Sequence, residues 1–480
     1  MAHDVVLGVD SSTQSTKVVA LDLDSGAIVG EGRAPHSGGH TQHPTEWWDA
    51  LVVAVRSATS SEMRVRSISV GGQQHGLVAL DAEDRPVGPA SLWNNTDAAP
   101  DAARLNTQAD FAALVGSRLV ASITIAKLAH LARIDPERFA RVRSVCLPHD
   151  WITFQLTGRL VTDRGDASGT GWWSPVTGAY RRDLIALAVG EPEAARIALP
   201  DVLGPTEPAG ALTSEAAAAL GLEPGIAVGP GTGDNMAAAL GIGAADGEIT
   251  ISLGTSGTAF AVSATATTDE TGEVAGFADA TGRFLPLACM LNCTRVVDTI
   301  AALLGIDRVA ALDRAGAIAP GAEGLLLMPY LDGERTPNLP RATGSLNGLT
   351  ARNATPDLLL RAALDGVAAG LAYSVEALAR LGITAPRATL VGGGSQHAAW
   401  RQAIADATGM VVVVRGGGEH AARGAGAQAA AVALAAPIDD VIAAWRPPVV
   451  AEIAPRIGVR EAFRLSERRT IVEALQTREG

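Results

Sequence analysis

The chain has 480 residues, and its 38 Lys and Arg against 51 Asp and Glu give a formal net charge of −13. A chain with this excess of acidic residues lacks the basic surface through which proteins bind DNA or RNA, so we predict no nucleic-acid partner. Hydrophobic residues make up 47% of the chain, which excludes an intrinsically disordered protein. The length suits a two-domain α/β enzyme.

The first residues indicate no export signal. Asp4 and Asp10 interrupt any apolar run, and no basic region precedes it, so we predict a cytoplasmic protein. The small-residue stretch at 425–437 is too short to cross the ~30 Å hydrocarbon core of a bilayer, and we expect no membrane span. The three cysteines lack the second ligand pair of a zinc site and are interpreted as buried thiols.

The opening of the chain predicts a hairpin, a third strand, a helix and another strand. Residues 5–30 alternate apolar runs with a Ser/Thr-rich loop and a turn. Residues 45–60 have apolar side chains at helical spacing, with Thr45 as the predicted N-cap. The next strand ends in a glycine loop at 71–76. This order differs from a dinucleotide-binding domain, which needs a helix directly after its first strand.

The second half repeats this opening. Residues 247–263 again predict a strand, a Ser/Thr/Gly loop and a strand, with Gly254 where Asp10 stands in the first copy. Farther on, residues 388–409 predict a buried strand, a glycine loop and a helix. The duplication predicts two related domains, at 1–245 and 246–480, that face a shared cleft.

The loop after the first strand has the composition of a phosphate cradle. Asp10 ends the strand, small hydroxyl residues with available backbone N–H groups follow, and Lys17 begins the next strand. Lys17 and Lys127 are the only lysines in the chain, which favours a functional position for Lys17 over an ordinary polar hairpin. The chain has neither a Walker sequence nor the motifs of protein kinases, so nucleotide chemistry would need another cradle.

Two further polar clusters are candidates for binding an acceptor molecule. Asp234 and Asn235 follow a glycine loop at the predicted start of a helix, whose dipole would keep the carboxylate ionised. With a pKa near the usual ~3.9, Asp234 would orient a hydroxyl rather than deprotonate it outright, and a simple N-cap is the alternative. Gln74 and His75 end another strand, as in a polyol-binding site or a polar turn. Weaker candidates for the same cleft are Trp93, Asn94, Asp163, Asp166 and Trp172.

The chain resembles the FGGY carbohydrate kinases nearly from end to end, in segments that keep the family's order and spacing: GVDSSTQSTK (8–17), GGQQHG (71–76), LWN (92–94), TDRGDASGTGWW (162–173), GTGDN (231–235), SLGTSGTA (252–259), PYLDGERTPN (329–338) and VGGGS (391–395). The resemblance implies an α/β fold of two actin-like (ribonuclease H-like) domains with a nucleotide and sugar cleft between them. It also implies phosphorylation of a ketopentose, with D-xylulose favoured, by ATP and Mg²⁺.

The resemblance assigns a role to each candidate residue. Asp234 would accept the proton of the C5 hydroxyl, and Asp10 would orient hydrated Mg²⁺. The residues that would hold the sugar are Gln74, His75, Trp93, Asp234 and Asn235. Those that would bind ATP are the loop from Thr13 to Lys17, then Gly254, Thr255 and Ser256 at the phosphates, and Gly393, Gly394 and Ser395 at the adenosine part. Closure of the two domains would exclude water.

One stretch departs from the family's pattern. Where family members usually have Asp, any residue and Arg after the Trp-Asn pair, this chain has Asn95, Thr96 and Asp97.

The alternatives to a D-xylulose kinase are a kinase of another ketopentose or a pentitol, an impaired regulator that binds sugar or nucleotide, and a nicotinamide-dependent polyol oxidoreductase. The sequence leaves open the oligomeric state, for which a homodimer is one option, and the role of the loop at 416–418.

Overall fold

The computed structural model describes residues 3–479, and its two halves are each built around a seven-stranded sheet. The strands of the first half are β1 (His3–Ser11), β2 (Ser15–Asp22), β3 (Ile28–Pro35), β4 (Thr41–Gln42), β5 (Met63–Gly72), β6 (Val78–Leu80), β7 (Ala90–Ser91), β8 (Ser144–Cys146), β9 (Val161–Asp163), β10 (Trp173–Ser174), β11 (Ala179–Tyr180), β12 (Asp201–Leu203), β13 (Gly210–Ala211), β14 (Ala227–Val228) and β15 (Thr232–Gly233). Its helices are α1 (Pro44–Ala58), α2 (Ala99–Asn106), α3 (Phe111–Val115), α4 (Thr124–Ile134), α5 (Pro136–Arg141), α6 (Pro148–Thr157), α7 (Arg164–Ala167), α8 (Arg182–Val189), α9 (Glu191–Arg196), α10 (Ser214–Leu220) and α11 (Asp234–Gly241).

The second half has the same kind of organisation. Its strands are β16 (Ile249–Leu253), β17 (Gly257–Ala261), β18 (Val274–Ala278), β19 (Phe284–Met290), β20 (Leu326–Met328), β21 (Ser345–Asn347), β22 (Arg387–Val391), β23 (Val411–Arg415) and β24 (Val449–Ile453). Its helices are α12 (Thr294–Leu303), α13 (Arg308–Ala317), α14 (Pro356–Arg380), α15 (Ala398–Thr408), α16 (His420–Leu434), α17 (Ile438–Ala444) and α18 (Leu465–Glu479).

The first sheet has the strand order β13-β14-β5-β1-β2-β3, with β15 beside β5. Strand β1 pairs antiparallel with β2 and parallel with β5, so the predicted opening hairpin and the return to the sheet after α1 are confirmed. From Val5 onward β1 is buried, and this continuous apolar run is typical of a strand covered on both faces. Its central position places the end of β1 in the middle of one edge of the sheet.

Helix α1 begins earlier than the spacing predicted. Pro44 is its first residue and His43 is the N-cap, so Thr45 as the N-cap is wrong. The Glu46 carboxylate accepts from the His43 backbone N–H at 3.1 Å, and the His43 ring accepts from the Thr45 N–H at 3.4 Å. This capping box and the proline at the first helical position determine the start of the helix.

The second sheet has the strand order β18-β19-β17-β16-β22-β23-β24. Its β16–β17 hairpin repeats β1–β2, and β16 runs parallel to β22, which confirms the predicted two-domain α/β architecture. Helix α14 has the length and mean hydropathy of a membrane span, but 83% of its apolar window is buried inside the protein. Leu360, Leu364 and Leu371 on this helix are fully buried, so α14 forms the core of the second half.

Helix α16 belongs to the second half of the chain but covers the first sheet. A Cβ atom on Gly8 of β1 would lie 1.9 Å from the carbonyl oxygen of Ala422, so strand and helix touch through their backbones. Because α16 crosses between the two halves, the division at residue 245 stays a prediction. The cysteines are free: Cys146 and Cys293 are buried, and Cys289 is half-buried.

Candidate active site

Three parallel strands of the first sheet end side by side at one edge. In the register of β1, β5 and β15, Asp10 and Thr232 both lie opposite Gly71. The residues that follow the three strand ends therefore meet at this edge, which is where ligands bind in open α/β sheets. The predicted residues that meet there are Asp10, Gln74, His75, Asp234 and Asn235.

Asp234 is the first residue of α11 and is half-buried. Burial raises its pKa to about 7, and the like charges of Asp10 and Asp166 act in the same direction. The expectation of an ordinary pKa near 3.9 is therefore wrong, because desolvation and two neighbouring carboxylates outweigh the helix dipole. A carboxyl group with a pKa close to neutral pH has the proton affinity that a general base needs.

Asn235 connects Asp234 to both halves of the chain. Its Nδ2 donates to Asp234 Oδ1 and to Gln74 Oε1, each at 2.9 Å, and its Oδ1 accepts from the Thr258 hydroxyl of β17 at 3.2 Å. The Nε2 of Gln74 is buried and has no hydrogen-bond partner among the described residues. A buried unsatisfied donor costs about 1–3 kcal/mol, and a polar ligand would recover this energy.

His75 is held in one orientation and in one protonation state. Its backbone has a φ of 64°, which costs a residue with a Cβ atom about 1–2 kcal/mol. Its Nδ1 donates to the Gly169 carbonyl at 3.0 Å, and the ring packs on Phe277 with centroids 5.3 Å apart. Burial, reinforced by the charges of Lys127 and Arg335, lowers the pKa of His75 well below its usual range. The imidazole is therefore neutral, and Nε2 is an acceptor.

Trp93 connects the first hairpin loop to the residues that follow β5. Its Nε1 donates to the Thr13 hydroxyl at 2.9 Å, and that hydroxyl lies 3.4 Å from Gln73 Oε1. The side chain of Thr13, which was predicted at the ATP phosphates, is thus directed toward Trp93 and Gln73. The role of its backbone at the phosphates stays a prediction.

The departing stretch after Trp93 forms a local turn. Asn95 is buried, and its Oδ1 accepts from the Asp97 backbone N–H at 2.8 Å. The Asp97 side chain is exposed. The amide of Asn95 thus takes part in backbone structure close to Trp93.

Asp10 and Lys17 face each other across the first hairpin, in register. Asp10 is 7% exposed, and the Ser12 hydroxyl donates to its Oδ1 at 2.5 Å. Burial raises the pKa of Asp10, with Ser12 and Lys17 opposing this effect. Lys17 Nζ pairs with Glu419 Oε2 at 2.7 Å, at the start of α16. The predicted phosphate ligand therefore has a carboxylate partner that its sequence context did not indicate.

The second hairpin loop has its carbonyl groups turned toward a helix. The Gly254 carbonyl accepts from the Thr294 N–H at 3.1 Å and from the Thr294 hydroxyl at 2.9 Å, and the Thr255 carbonyl accepts from the Cys293 N–H at 3.2 Å. The Gly254 N–H donates to the Ser256 carbonyl at 3.0 Å, which closes the turn. These bonds occupy carbonyl oxygens that would repel a phosphate.

The glycine loop at 392–395, which follows β22, lies beside the second hairpin loop because β16 and β22 are parallel neighbours. Gly393 is exposed, and a Cβ atom there would meet nothing within 4 Å. At Gly394 a Cβ atom would lie 2.9 Å from the Leu253 side chain, and the Ser395 hydroxyl donates to the Gly392 carbonyl at 2.7 Å. Gly393 thus borders open space, whereas Gly394 and Ser395 build the turn.

A buried charged cluster lies beneath the Asp234 loop. Its centre is His149, which is fully buried and which the sequence analysis did not select. Nδ1 of His149 lies 2.8 Å from Asp166 Oδ2, and Nε2 lies 3.1 Å from Asp150 and 3.8 Å from Asp163. Burial lowers the pKa of His149, but the three carboxylates outweigh it and raise the pKa to about 9. His149 is therefore protonated at neutral pH.

Asp163 and Asp166 do not line the cleft, contrary to the expectation from sequence. Both are buried, and the Thr232 hydroxyl donates to Asp163 Oδ2 at 2.7 Å. Since Thr232 lies two residues before Asp234, Asp163 fixes the loop that carries the candidate base. The sequence signal was the density of Asp residues in 163–166 and the His-Asp pair at 149–150, but only the fold brings these segments together.

Comparisons with known proteins identify the family of the chain. Residues 5–241 match the N-terminal domain of the FGGY family of carbohydrate kinases, and residues 249–434 match its C-terminal domain. The chain is 45% identical to the xylulose kinase of Streptomyces rubiginosus over 89% of this chain and 87% of that one. It is 33% identical to the xylulose kinase of Escherichia coli (strain K12), over 86% and 87%. The crystal structure of xylulose kinase from Bifidobacterium adolescentis superposes with a TM-score of 0.84 at 37% identity, covering 97% of this chain and 99% of that one. The chain therefore belongs to the FGGY family of carbohydrate kinases.

Proposed function

We propose that this carbohydrate kinase transfers the γ-phosphoryl group of ATP to the C5 hydroxyl of D-xylulose, which gives D-xylulose 5-phosphate and ADP. The observation that carries the proposal is Asp234, whose pKa is raised to about 7 beside the unpartnered Gln74 Nε2 and the neutral His75. The xylulose kinases to which the chain is similar over most of its length support the choice of sugar.

The sugar side of the site offers complementary hydrogen-bonding groups. Gln74 Nε2 is free to donate to a sugar oxygen, and His75 Nε2 is free to accept from a sugar hydroxyl. Asn235 is engaged through both ends of its amide, so it orients Gln74 and Asp234. An array of fixed donors and acceptors on one strand edge suits a polyhydroxylated substrate.

Asp234 performs the proton transfer. As the C5 oxygen bonds to the γ-phosphorus, the bond from that phosphorus to the β-γ bridging oxygen breaks and ADP leaves. The hydroxyl proton passes to the Asp234 carboxylate. A loose transition state releases this proton late, so a base with a pKa near 7 is strong enough for the step.

The ATP side is built mainly from loops. The Gly254–Ser256 turn and Lys17 face the phosphates, and Gly393 gives room for the adenosine part because nothing lies within 4 Å of its Cβ position. Lys17 is held by Glu419 at 2.7 Å, so it contacts a phosphate only by sharing or leaving that carboxylate. The phosphates of ATP thereby compete with Glu419 for one cation.

Mg²⁺ fits the donor set at the first loop. Among the described residues no group of three or more His, Cys, Asp or Glu could hold a metal by itself. Mg²⁺ in kinases is bound by one or two carboxylates together with the phosphates of the substrate, and Asp10 supplies a buried carboxylate whose pKa is raised by burial. Asp10 would hold the ion, which when bound neutralises charge on the transferred phosphoryl group.

A coupled assay of ADP release tests the proposal. The enzyme is supplied with ATP and Mg²⁺ against D-xylulose, D-ribulose, L-ribulose, L-xylulose, glycerol and pentitols. We expect the highest kcat/KM for D-xylulose, and the position of the phosphate on the product is read by ³¹P NMR. Preference for another acceptor, or phosphorylation of another hydroxyl, overturns the choice of substrate. An absence of turnover with every acceptor overturns the proposal of a working kinase.

A second candidate is a kinase of another ketopentose or a pentitol. The observation that favours it is the departure at Asn95 and Asp97, because this turn follows directly after Trp93. Pentoses differ by one or two hydroxyl positions, so a small change in this loop can alter substrate preference.

The homodimer also stays a prediction, and sedimentation of the purified protein measures its oligomeric state.

A further inference from the structure

Lys127 is a buried cation for which the reaction proposed above has no use. It lies on α4, is 2% exposed, and is one of the two lysines of the chain. Among the described residues, no carboxylate lies within ion-pair distance of Lys127 Nζ. A buried ammonium group without a carboxylate is costly, and burial lowers its pKa well below the usual range. Its hydrogen bonds show what this residue does.

The hydrogen bonds of Lys127 end on the backbone of the sugar loop. Nζ donates to the His75 carbonyl at 2.7 Å and also to the Ser122 carbonyl. The Thr124 hydroxyl donates to the same His75 carbonyl at 3.2 Å. Two donors therefore hold the peptide group that follows the left-handed His75.

The conformation of His75 depends on such support. With its φ of 64°, the ring is directed against Gly169, where a Cβ atom would lie 2.4 Å from the imidazole. This close approach lets Nδ1 donate to the Gly169 carbonyl and leaves Nε2 as the acceptor. An extended His75 would lose both the contact with Gly169 and the defined tautomer.

Ser122, whose carbonyl accepts from Lys127, is also contacted from the second half of the chain. Arg335 Nη1 donates to the Ser122 hydroxyl at 2.9 Å, while the Ser122 carbonyl accepts from Lys127. Ser122 thus joins a guanidinium of the second half to the ammonium that supports His75. A displacement between the halves would reach the sugar loop through this residue.

We infer that Lys127 is a positioning residue for the acceptor sugar: it holds His75 in its left-handed conformation, so that Nε2 accepts a hydrogen bond from a substrate hydroxyl. The inference deepens the proposed function and rests on a sugar binding at His75. Lys127 acts through His75 and does not touch the reacting atoms. Its loss should therefore affect the sugar and not ATP.

Steady-state kinetics of Lys127→Met test the role, because methionine preserves the length of the side chain and removes the donor. We expect KM for the sugar to rise about 10- to 100-fold, with KM for ATP changed less than about twofold. The matched control is Arg133→Met on the same helix, which removes an exposed cation paired with Asp101 and should leave both constants unchanged. An unchanged sugar KM in Lys127→Met, or equal changes in both KM values, overturns the inference.

A spectroscopic measurement keeps the test independent of the identity of the sugar and of the folding of the variant. In ¹⁵N-histidine NMR of the wild-type protein, His75 should show the neutral form protonated at Nδ1, assigned by the loss of its signals in His75→Asn. Thr124→Val, which removes only the weaker donor, should shift these signals while the other histidines stay in place. A charged His75, or the form protonated at Nε2, in the wild-type protein overturns the inference. Failure of the proposed function would instead appear as absent turnover of D-xylulose with the expected tautomer retained.

Discussion

The two hairpin loops share a topology but differ in chemistry. Each follows a strand that pairs antiparallel with the next strand and parallel with a strand that leads into a glycine loop. The first loop carries the carboxylate of Asp10 and ends at Lys17, whereas the second, Gly254–Ser256, contains no charged side chain. The charged side chains of the proposed site are therefore gathered in the first half, and the second half contributes backbone and glycines to the proposed nucleotide site.

The largest expected effect comes from removing Asp234, the proposed base in the first half. Asp234→Asn should lower kcat by about 10²–10⁴-fold, because the amide cannot accept the hydroxyl proton. Binding of ATP, measured by titration calorimetry, should stay nearly intact. The control is Asp49→Asn, which alters an exposed carboxylate on α1 in the same half. A decrease in kcat of less than tenfold in Asp234→Asn would show that another group takes the proton.

The second prediction concerns the charged residue that the first loop offers to the phosphates. Lys17→Ala should lower kcat/KM for ATP by about 10²-fold, with little change in KM for the sugar. Glu419→Gln should have the opposite sign and lower KM for ATP, because it frees Lys17 from the ion pair at 2.7 Å. If both variants weaken ATP binding equally, the pair is a structural link between the halves and not a competitor of phosphate.

The third prediction is a pH dependence that originates in the first half. The deprotonated form of Asp234 is the active one, so kcat/KM for the sugar should fall about tenfold per pH unit below an apparent pKa near 7. Asp166→Asn removes a like charge that helps to raise this pKa, so the decrease in kcat/KM should begin at a lower pH. If the apparent pKa of the kcat/KM profile is the same in Asp166→Asn as in the wild-type protein, a group other than Asp234 causes the decrease at low pH.

The smallest expected effects sharpen the comparison within the second half. In Gly393→Ala the added methyl group meets open space in the protein, so the melting temperature should be unchanged while KM for ATP rises a few-fold. Gly394→Ala places a Cβ atom 2.9 Å from Leu253, and overpacking should lower stability by about 1–3 kcal/mol. Calorimetry and ATP kinetics on the two variants separate these effects. Equal behaviour of the two would remove Gly393 from the nucleotide site.

Much of the fold was readable because it follows from local patterns. Alternating and continuous apolar runs placed the strands of both hairpins, and Gly-rich loops marked the strand ends at 71–76 and 391–395. The predicted N-cap of α1, Thr45, lies two residues after the observed one, since His43 is an unusual N-cap that is stabilised by the capping box with Glu46. The crossing of α16 to the first sheet was not predicted, because contacts between residues more than 400 positions apart leave no local pattern.

The sequence predicted which residues form the candidate site but not their protonation states. Gln74, His75, Asp234 and Asn235 stood out as polar residues directly after strands, and the parallel strands bring them together. The proton affinity of Asp234 does not follow from its position at the start of α11, because it depends on burial and on the carboxylates of Asp10 and Asp166 from other elements. The cluster around His149 was missed because its carboxylates come from separate elements.

The amino-acid sequence by itself determined the two hairpins, the glycine loops and the identity of the polar groups at the strand ends, because these depend on residues that are neighbours along the chain. Tertiary structure alone decided the raised pKa of Asp234, the pairing of Lys17 with Glu419 and the support of His75 by Lys127. Desolvation and Coulomb interactions act through space and depend steeply on distance and burial. Proton affinities and ion pairs are therefore properties of the folded arrangement rather than of any segment.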